Sequence, residues 1–310
     1  MLDKALKARF CKDKKVNINL FDEPYFTERL ELLDKLKEYQ EFERLVTEKF
    51  DEDKERYFAY YNELKDKIIN YIKASSSFTK LNSCDMKEFT VKNRFRQGDI
   101  YKIPYIGKRF ISIDMKKANF AALVAYGRLY DAEFNEGSLD WNLFMSRFTD
   151  IKYFYDSKYI RQVVFGNCNP SRQITFEKYL MDMFLNEIKV KDDAVISFCN
   201  DEIILDYDKV TVDEIEYIRE VAKDFVVDLE VEIFKLGHVD GTDVFIKEII
   251  NKNGSTKREI KCANPVHYIF VKRMLKNQKI TDNDRVFYSE YGRAVLDEVQ
   301  EMRLNFGEEG

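Results

Sequence analysis

Histidine is almost missing from this chain: among 310 residues there are two, His238 and His267, in unrelated contexts. Histidine metal sites and Ser-His-Asp chemistry therefore have almost no raw material, and any catalysis would rest on carboxylates, lysine and arginine. The five cysteines (Cys11, Cys84, Cys168, Cys199, Cys262) are scattered and odd in number, with no C-x-x-C spacing. That argues against both a disulfide framework and a zinc site. No apolar run approaches the roughly 18 residues of a membrane span, and the charged stretch MLDKALKARFCKDKK leads into no apolar segment of signal-peptide length. A reducing, cytoplasmic location without a membrane partner is the expectation.

What is present suits a globular protein. Hydrophobic residues make up 45% and aromatics 15%, with only four prolines, so the chain can bury a core as one large domain or two coupled ones. The charged fraction is 35% and the net charge −5, which excludes wholesale attraction to nucleic acid and leaves such binding to local basic patches.

From Phe26 to Phe50 the apolar positions Phe26, Leu30, Leu33, Leu36, Phe42, Leu45 and Val46 recur at three- and four-residue steps, and Tyr57, Tyr60, Tyr61, Leu64, Ile68 and Ile72 resume the pattern after FDED. The spacing predicts a helical hairpin packed on the body, ending at Ser75-Ser76-Ser77. Between Val91 and Arg109, Lys92, Arg94, Arg96, Lys102, Lys108 and Arg109 face a single acid, Asp99, among Phe95, Tyr101 and Tyr105. A turn at Ile106-Gly107-Lys108 reads as a hairpin whose second strand, RFISID, ends at Asp114. Such a basic, aromatic stretch suits a phosphate backbone, or equally an edge strand charged against mispairing.

In ISIDMKKANFAALVAYG, strand-like alternation runs into Asp114 and small and apolar residues at helical spacing follow. Asp114 therefore sits at a strand-to-helix junction, where a carboxylate can face a cleft. A second acid arises in SFCNDEIIL, an apolar run interrupted by Asn200, Asp201 and Glu202 that reads as a hairpin with acid at its tip. Lys158, Arg161 and Phe165 share one helix face, two cations and a flat ring that could grip a triphosphate and stack on a base, or line a surface helix. Asn169-Pro170 reads as the start of the next helix. Thr211 and Glu214 form a capping box before a helix, and VDLEVEIFKLG alternates as a half-buried strand. The pattern is an α+β layer with an antiparallel sheet. Farther on, Asn253-Gly254 marks another hairpin, and Lys257, Arg258, Lys261, Lys272, Arg273, Lys276 and Lys279 with Tyr268 and Phe270 form a second basic region, followed by a helix-like tail.

The order DMKKANFAAL, RQVVFGNCNP, NDEIIL, a helix and LEVEIFKLG, over roughly 110–237, resembles the palm and partial fingers of family A nucleic-acid polymerases, a group including DNA polymerases and single-subunit phage RNA polymerases. The resemblance implies a right-hand polymerase-like palm with reduced fingers. It makes Asp114 and Asp201 the metal-binding aspartates with Glu202 beside them, and Arg161 the triphosphate-binding cation. Phe165 and Gly166 would be the aromatic-glycine pair, and Asn119 stands where a glutamate often screens the sugar. Asn119, Asn169, Asn200 and Arg161 depart from the family's usual residues, and the short interval from Phe165 to Asp201 omits most of a fingers insertion.

The implied cofactor is Mg2+ or Mn2+, since two carboxylates can hold ions for phosphoryl transfer. The implied partners are nucleoside triphosphates and a primer–template, contacted by Arg94, Arg96, Lys108, Arg109, Lys257, Arg258 and Lys261. The expected organisation is a helical, thumb-like region over 1–87, a palm over 88–243 and a C-terminal hairpin with helices over 244–310. A nucleotidyltransferase extending a 3′-hydroxyl during DNA replication is the leading expectation. An RNA-making or priming polymerase and a catalytically inactive nucleic-acid-binding replication subunit are the alternatives.

Overall fold

The computed structural model describes residues 2–18, 20–92, 98–289, 292–296 and 301–307. The chain opens with helices α1 (Lys4–Asp13), α2 (Tyr25–Leu32), α3 (Leu36–Phe50), α4 (Lys54–Ala74) and α5 (Ser76–Ser83). The helix expected to run unbroken through residue 50 is two helices, because the chain reverses at Asp34 in the left-handed region, φ 57. The break at FDED is as expected: Asp53 caps α4 by accepting from Glu55 N and Arg56 N. The serine run ends α4 but also starts α5, whose N-cap is Ser75. Phe26, Leu30, Phe42, Val46, Tyr57, Leu64, Ile68 and Ile72 are all buried, so the helical stripe is core.

The body is α+β. Strands β1 (Arg109–Met115), β2 (Val195–Phe198), β3 (Glu202–Asp206), β4 (Leu229–Asp240), β5 (Phe245–Ile250) and β6 (Thr256–Lys261) form one antiparallel sheet in the order β2-β3-β1-β4-β5-β6, with β9 (Arg303–Asn305) also on β4. Helices α6 (Ala118–Leu129), α7 (Trp141–Met145), α8 (Lys152–Tyr155), α9 (Lys158–Gly166) and α10 (Pro170–Ile188) lie between β1 and β2, and α11 (Val212–Asp224) precedes β4. The capping box of Thr211 and Glu214 is present on α11. Asn169 does precede α10, but in a left-handed conformation (φ 56) with no capping hydrogen bond.

Period-two alternation gives the sheet two faces. Ile111, Ile113, Ile203 and Leu205 point into the main core, which they share with residues of α6 and α10 and with the N-terminal helices. On the opposite face, Phe110, Ile204, Phe234, Leu236, Phe245 and Ile249 form a smaller cluster with Ile100, against which Tyr101, Tyr105 and Ile106 pack. That cluster covers one end of the second face. Toward the other end of β1 the alternation brings Ser112 and Asp114 to the same face as Phe110.

Over residues 98–108 the chain before β1 forms no strand. Residues Ile103–Tyr105 form a single 3-10 turn, and β1 pairs with β3 and β4. Gly107, at φ 82, makes the turn into β1, and a Cβ there would lie 2.6 Å from Phe306 O. After β6 come α12 (Pro265–Leu275), a 3-10 turn at Asp282–Arg285 and the hairpin β7 (Val286–Ser289) with β8 (Gly292–Val295), so among the described residues past α12 the expected helical tail is reduced to that single turn. The expected boundary at 243–244 falls between β4 and β5, neighbours in one sheet. Asp284, buried between Arg29 of α2 and Arg273 of α12, ties the first helices to the C-terminal segment.

Candidate active site

Asp114 sits where β1 gives way to α6. The chain turns sharply there, with Lys117 in the left-handed region at φ 54, an uncommon conformation for a side chain with a Cβ. Backbone bonds hold the turn: Met115 N donates to Asp201 O (2.8 Å) and Lys116 N to Asp228 O (2.9 Å). The first bond brings the tip of the β2–β3 hairpin to Asp114. That tip is the two-residue loop Asn200-Asp201, closed by Cys199 N donating to Glu202 O at 2.8 Å.

The register then decides which charges meet. Asp114 lies directly opposite Glu202 on β3 and opposite Glu230 on β4. Directly opposed residues of an antiparallel pair point to the same face, with Cβ atoms about 5 Å apart. Three carboxylates therefore form one row across three strands, with Asp201 adjoining it. Burial pushes the Asp114 carboxyl up to about 7, reinforced by the negative charges of Glu202 and Asp201 and opposed by Lys247 and Lys158. Lys247 itself is buried and paired with Glu232 at 2.7 Å. Glu202 is oriented by Ser112, whose hydroxyl donates to its Oε1 at 2.6 Å.

A further acid reaches this region from α10. Glu177, 3% exposed, accepts a hydrogen bond on Oε1 from Asn119 Nδ2 at 2.8 Å. Burial, then the charge of Asp201, push its carboxyl up to about 7 against that hydrogen bond. The bond commits the Asn119 amide nitrogen to Glu177 and leaves the Oδ1 acceptor as the free end of the side chain.

The cations come from α9, whose N-cap Ser157 accepts from Ile160 N at 3.1 Å. Lys158 is exposed and close enough for its charge to act on Asp114. Arg161 is half-buried, with its guanidinium 5.8 Å from the Trp141 ring, and burial lowers its pKa. Among the described residues neither has a carboxylate within salt-bridge distance. Phe165 is not available for stacking: it is 1% exposed, with ring contacts to Phe120 (6.4 Å) and Trp141 (6.3 Å). The helix face chosen from spacing is divided by packing, which leaves Lys158 exposed and Arg161 half-buried and puts the ring into the core.

The other basic residues serve other acids first, although the charges of Glu232 and Glu230 add to the Glu259 hydrogen bond that raises the Lys257 pKa. Arg94 and Arg96 fall outside the described residues. Lys108 precedes β1 and Arg109 starts it, and five strand steps separate Arg109 from Asp114, roughly 16 Å. Arg109 pairs with Asp208 at 3.2 Å, over the Tyr207 ring. On the edge strand β6, Lys257 and Lys261 both pair with Glu259 (2.8 and 3.0 Å) and Arg258 pairs with Glu248 (2.7 Å).

The carboxylate row is an oxygen-only donor set, the kind Mg2+ takes, and the raised pKa of Asp114 is what a bound cation would reverse. Among the described residues, however, no three His, Cys, Asp or Glu side chains converge closely enough to hold an ion. An ion here would take its remaining oxygen ligands from outside the protein, water among them. Sequence reasoning missed Glu230 and Glu177. The alternation of β4 put Glu230 on the face away from the core, so a signal existed, but only strand register shows that it meets Asp114. Compared with protein families, curated proteins and solved structures, the chain matches none.

Proposed function

We propose that this chain is a minimal metal-dependent nucleotidyltransferase of the family A polymerase type, which extends a nucleic-acid 3′-hydroxyl with nucleoside triphosphates. The observation that carries the reading is the like-charged row at Asp114, flanked by Glu202 and Glu230, beside the unpaired cations of α9. In this reading the sheet is the palm, α9 and α10 are the reduced fingers, and the first helices are thumb-like. Asp114 and Asp201 would hold Mg2+ or Mn2+, which supplies activation of the attacking hydroxyl and stabilisation of the departing pyrophosphate. Ser112 fixes Glu202, which supports the site from the neighbouring strand. Lys158 and Arg161 bind the triphosphate through charge-assisted hydrogen bonds. Asn119 faces the sugar with its acceptor oxygen outward, so a ribose hydroxyl can donate to it and ribonucleotides are accepted.

Extension of labelled DNA and RNA primers, with each nucleotide type and with magnesium or manganese, tests the reading. Extension under at least one combination is expected. Nucleic-acid binding with no extension under any of them would favour an inactive replication subunit instead.

A further inference from the structure

Where the chain leaves α6 it folds over the last turn of α4 and encloses a cavity of about 490 Å³. Asp114 precedes α6 and the cavity follows it, so the 12 residues of that helix, roughly 18 Å, separate the two. The cavity walls are Tyr71 and Ala74 of α4, Ser75 after them, and Glu133, Asn135 and Glu136 of the loop. Hydrogen bonds hold the loop to the helix end: Glu133 N donates to Ser76 Oγ (2.5 Å), and Glu133 O accepts from Ser77 N and Ser76 Oγ (both 3.3 Å).

The polar groups around this cavity are mainly acceptors. The Ser75 and Ser76 hydroxyls donate to Ile72 O (2.7 Å) and Glu133 O (3.3 Å). The 21-residue helix α4 ends here, which places its negative pole at the wall. Glu133 and Glu136 add two carboxylates, and among the described residues Glu133 has no ion-pair partner. Asn135 separates a ligand site from a merely acidic patch. It is 2% exposed, its Nδ2 donates to Ser138 O at 2.6 Å, and its Oδ1 is buried without a hydrogen-bond partner among the described residues. A buried acceptor left without a donor is costly, and a ligand N–H removes that cost. The nearby cations are engaged elsewhere: Arg128 donates to Gly137 O (2.8 Å) and Val226 O (2.9 Å), and Lys80 to Asp131 O (2.6 Å). Lys73 is two residues past Tyr71 and so on the opposite side of α4. Arg147 reaches the rim, at Tyr71 OH (3.0 Å) and Glu136 (3.2 Å).

We infer that this cavity binds a small organic polycation of the polyamine class. Its volume is that of a small-molecule site, far larger than a single ion needs. Ammonium groups supply several N–H donors each, which the Asn135 amide oxygen, the Glu133 carboxylate and the end of α4 can accept. The methylenes between them lie along Ala74 and the Tyr71 ring, whose face also attracts positive charge. The site is independent of the nucleotidyltransferase reading.

Isothermal titration calorimetry of the full chain with spermidine tests the site. The parent should bind one spermidine per chain. Glu133→Gln, at an exposed position, should weaken binding about five- to tenfold, as expected for one charge-assisted contact near the surface. Glu48→Gln, which removes an exposed carboxylate from α3, should leave affinity within about twofold of the parent. Arg147→Gln removes a cation that competes for Glu136 and should tighten binding about two- to fivefold. No binding by the parent, unchanged affinity in Glu133→Gln or weaker binding in Arg147→Gln would each overturn the inference. So would equal losses in Glu133→Gln and Glu48→Gln, the mark of diffuse attraction to a chain of net charge −5.

Discussion

Two charged regions lie on one sheet and follow opposite rules. Across β3, β1 and β4, Glu202, Asp114 and Glu230 stand opposite one another with the same sign, and Lys116 is a loose partner for Glu230 at 3.7 Å. Across β5 and β6 the signs alternate: Glu248 meets Arg258, and Glu259 sits between Lys257 and Lys261. Opposed like charges destabilise a sheet, while opposed unlike charges contribute about 0.2–1 kcal/mol per pair. Where charge only solvates an edge strand, this sequence pairs it. A row that ignores that rule at a strand-to-helix junction, next to unpaired cations, is the feature that stability does not account for.

The largest expected effect comes from breaking the acidic region. Asp201→Asn should reduce primer extension by roughly three orders of magnitude, since it removes a carboxylate from a metal-assisted step, while retention on a nucleic-acid column stays the same. Loss of retention together with activity would point to misfolding instead. Next in size is Arg161→Ala, which should raise the nucleotide KM and lower kcat, for a combined loss in kcat/KM of about 10- to 100-fold from one charge-assisted contact. Unchanged saturation kinetics would make Arg161 a purely structural residue.

The two regions should also differ in stability, with opposite signs against pH. Asp114 is raised from its ordinary 3.8 to about 7 in the folded chain, so the folded state binds more protons across that window and stability falls as pH rises through it. Asp114→Asn should therefore melt roughly 2 °C above the parent at pH 8, and the gap should close as pH is lowered from about 7 toward 4. At Glu259 burial opposes ionisation, but hydrogen bonds from Lys257 and Lys261 outweigh it and hold the carboxyl at about 2 instead of 4.5. Its contribution is complete above about 4.5 and is lost as pH falls toward 2. Glu259→Gln should thus melt below the parent at pH 7, by no more than about 2 °C, with the gap closing in acid. Differential scanning calorimetry across pH decides both, and a shared sign would erase the distinction between the regions. The smallest effect concerns binding. Because their charges are already matched, replacing Lys257 and Lys261 with alanine together should weaken nucleic-acid affinity less than about threefold, and a much larger loss would return β6 to the interface.

Much of the frame was legible in the sequence. Alternation into Asp114 and the small, apolar spacing after it reflect the strand and the buried helix, and the interrupted run SFCNDEIIL reflects a real hairpin. The α+β class and the Asn253-Gly254 turn followed from local rules of the same kind. What could not be read depends on distant partners. The break at Asp34 looks like an ordinary polar position in a helical stripe. The 98–108 segment has strand-like residues, but only Gly107 and Lys108 reach a strand, through backbone bonds with Leu236 of β4. Phe165 and Arg161 share a periodic face, yet Phe120 and Trp141 claim the ring. Glu230 and Glu177 join the acids only through strand register and helix packing, which no window of sequence contains.

The central claim is that Asp114 lies at the centre of a site for nucleotide transfer. Its most direct test is the rate of labelled-primer extension by the parent and by Asp114→Asn, side by side, as magnesium is titrated at saturating nucleotide. The account predicts extension by the parent that rises with magnesium and saturates, and none above background in the variant at any magnesium concentration. Equal rates in the two proteins, or a parent rate indifferent to magnesium and to its chelation, would contradict it.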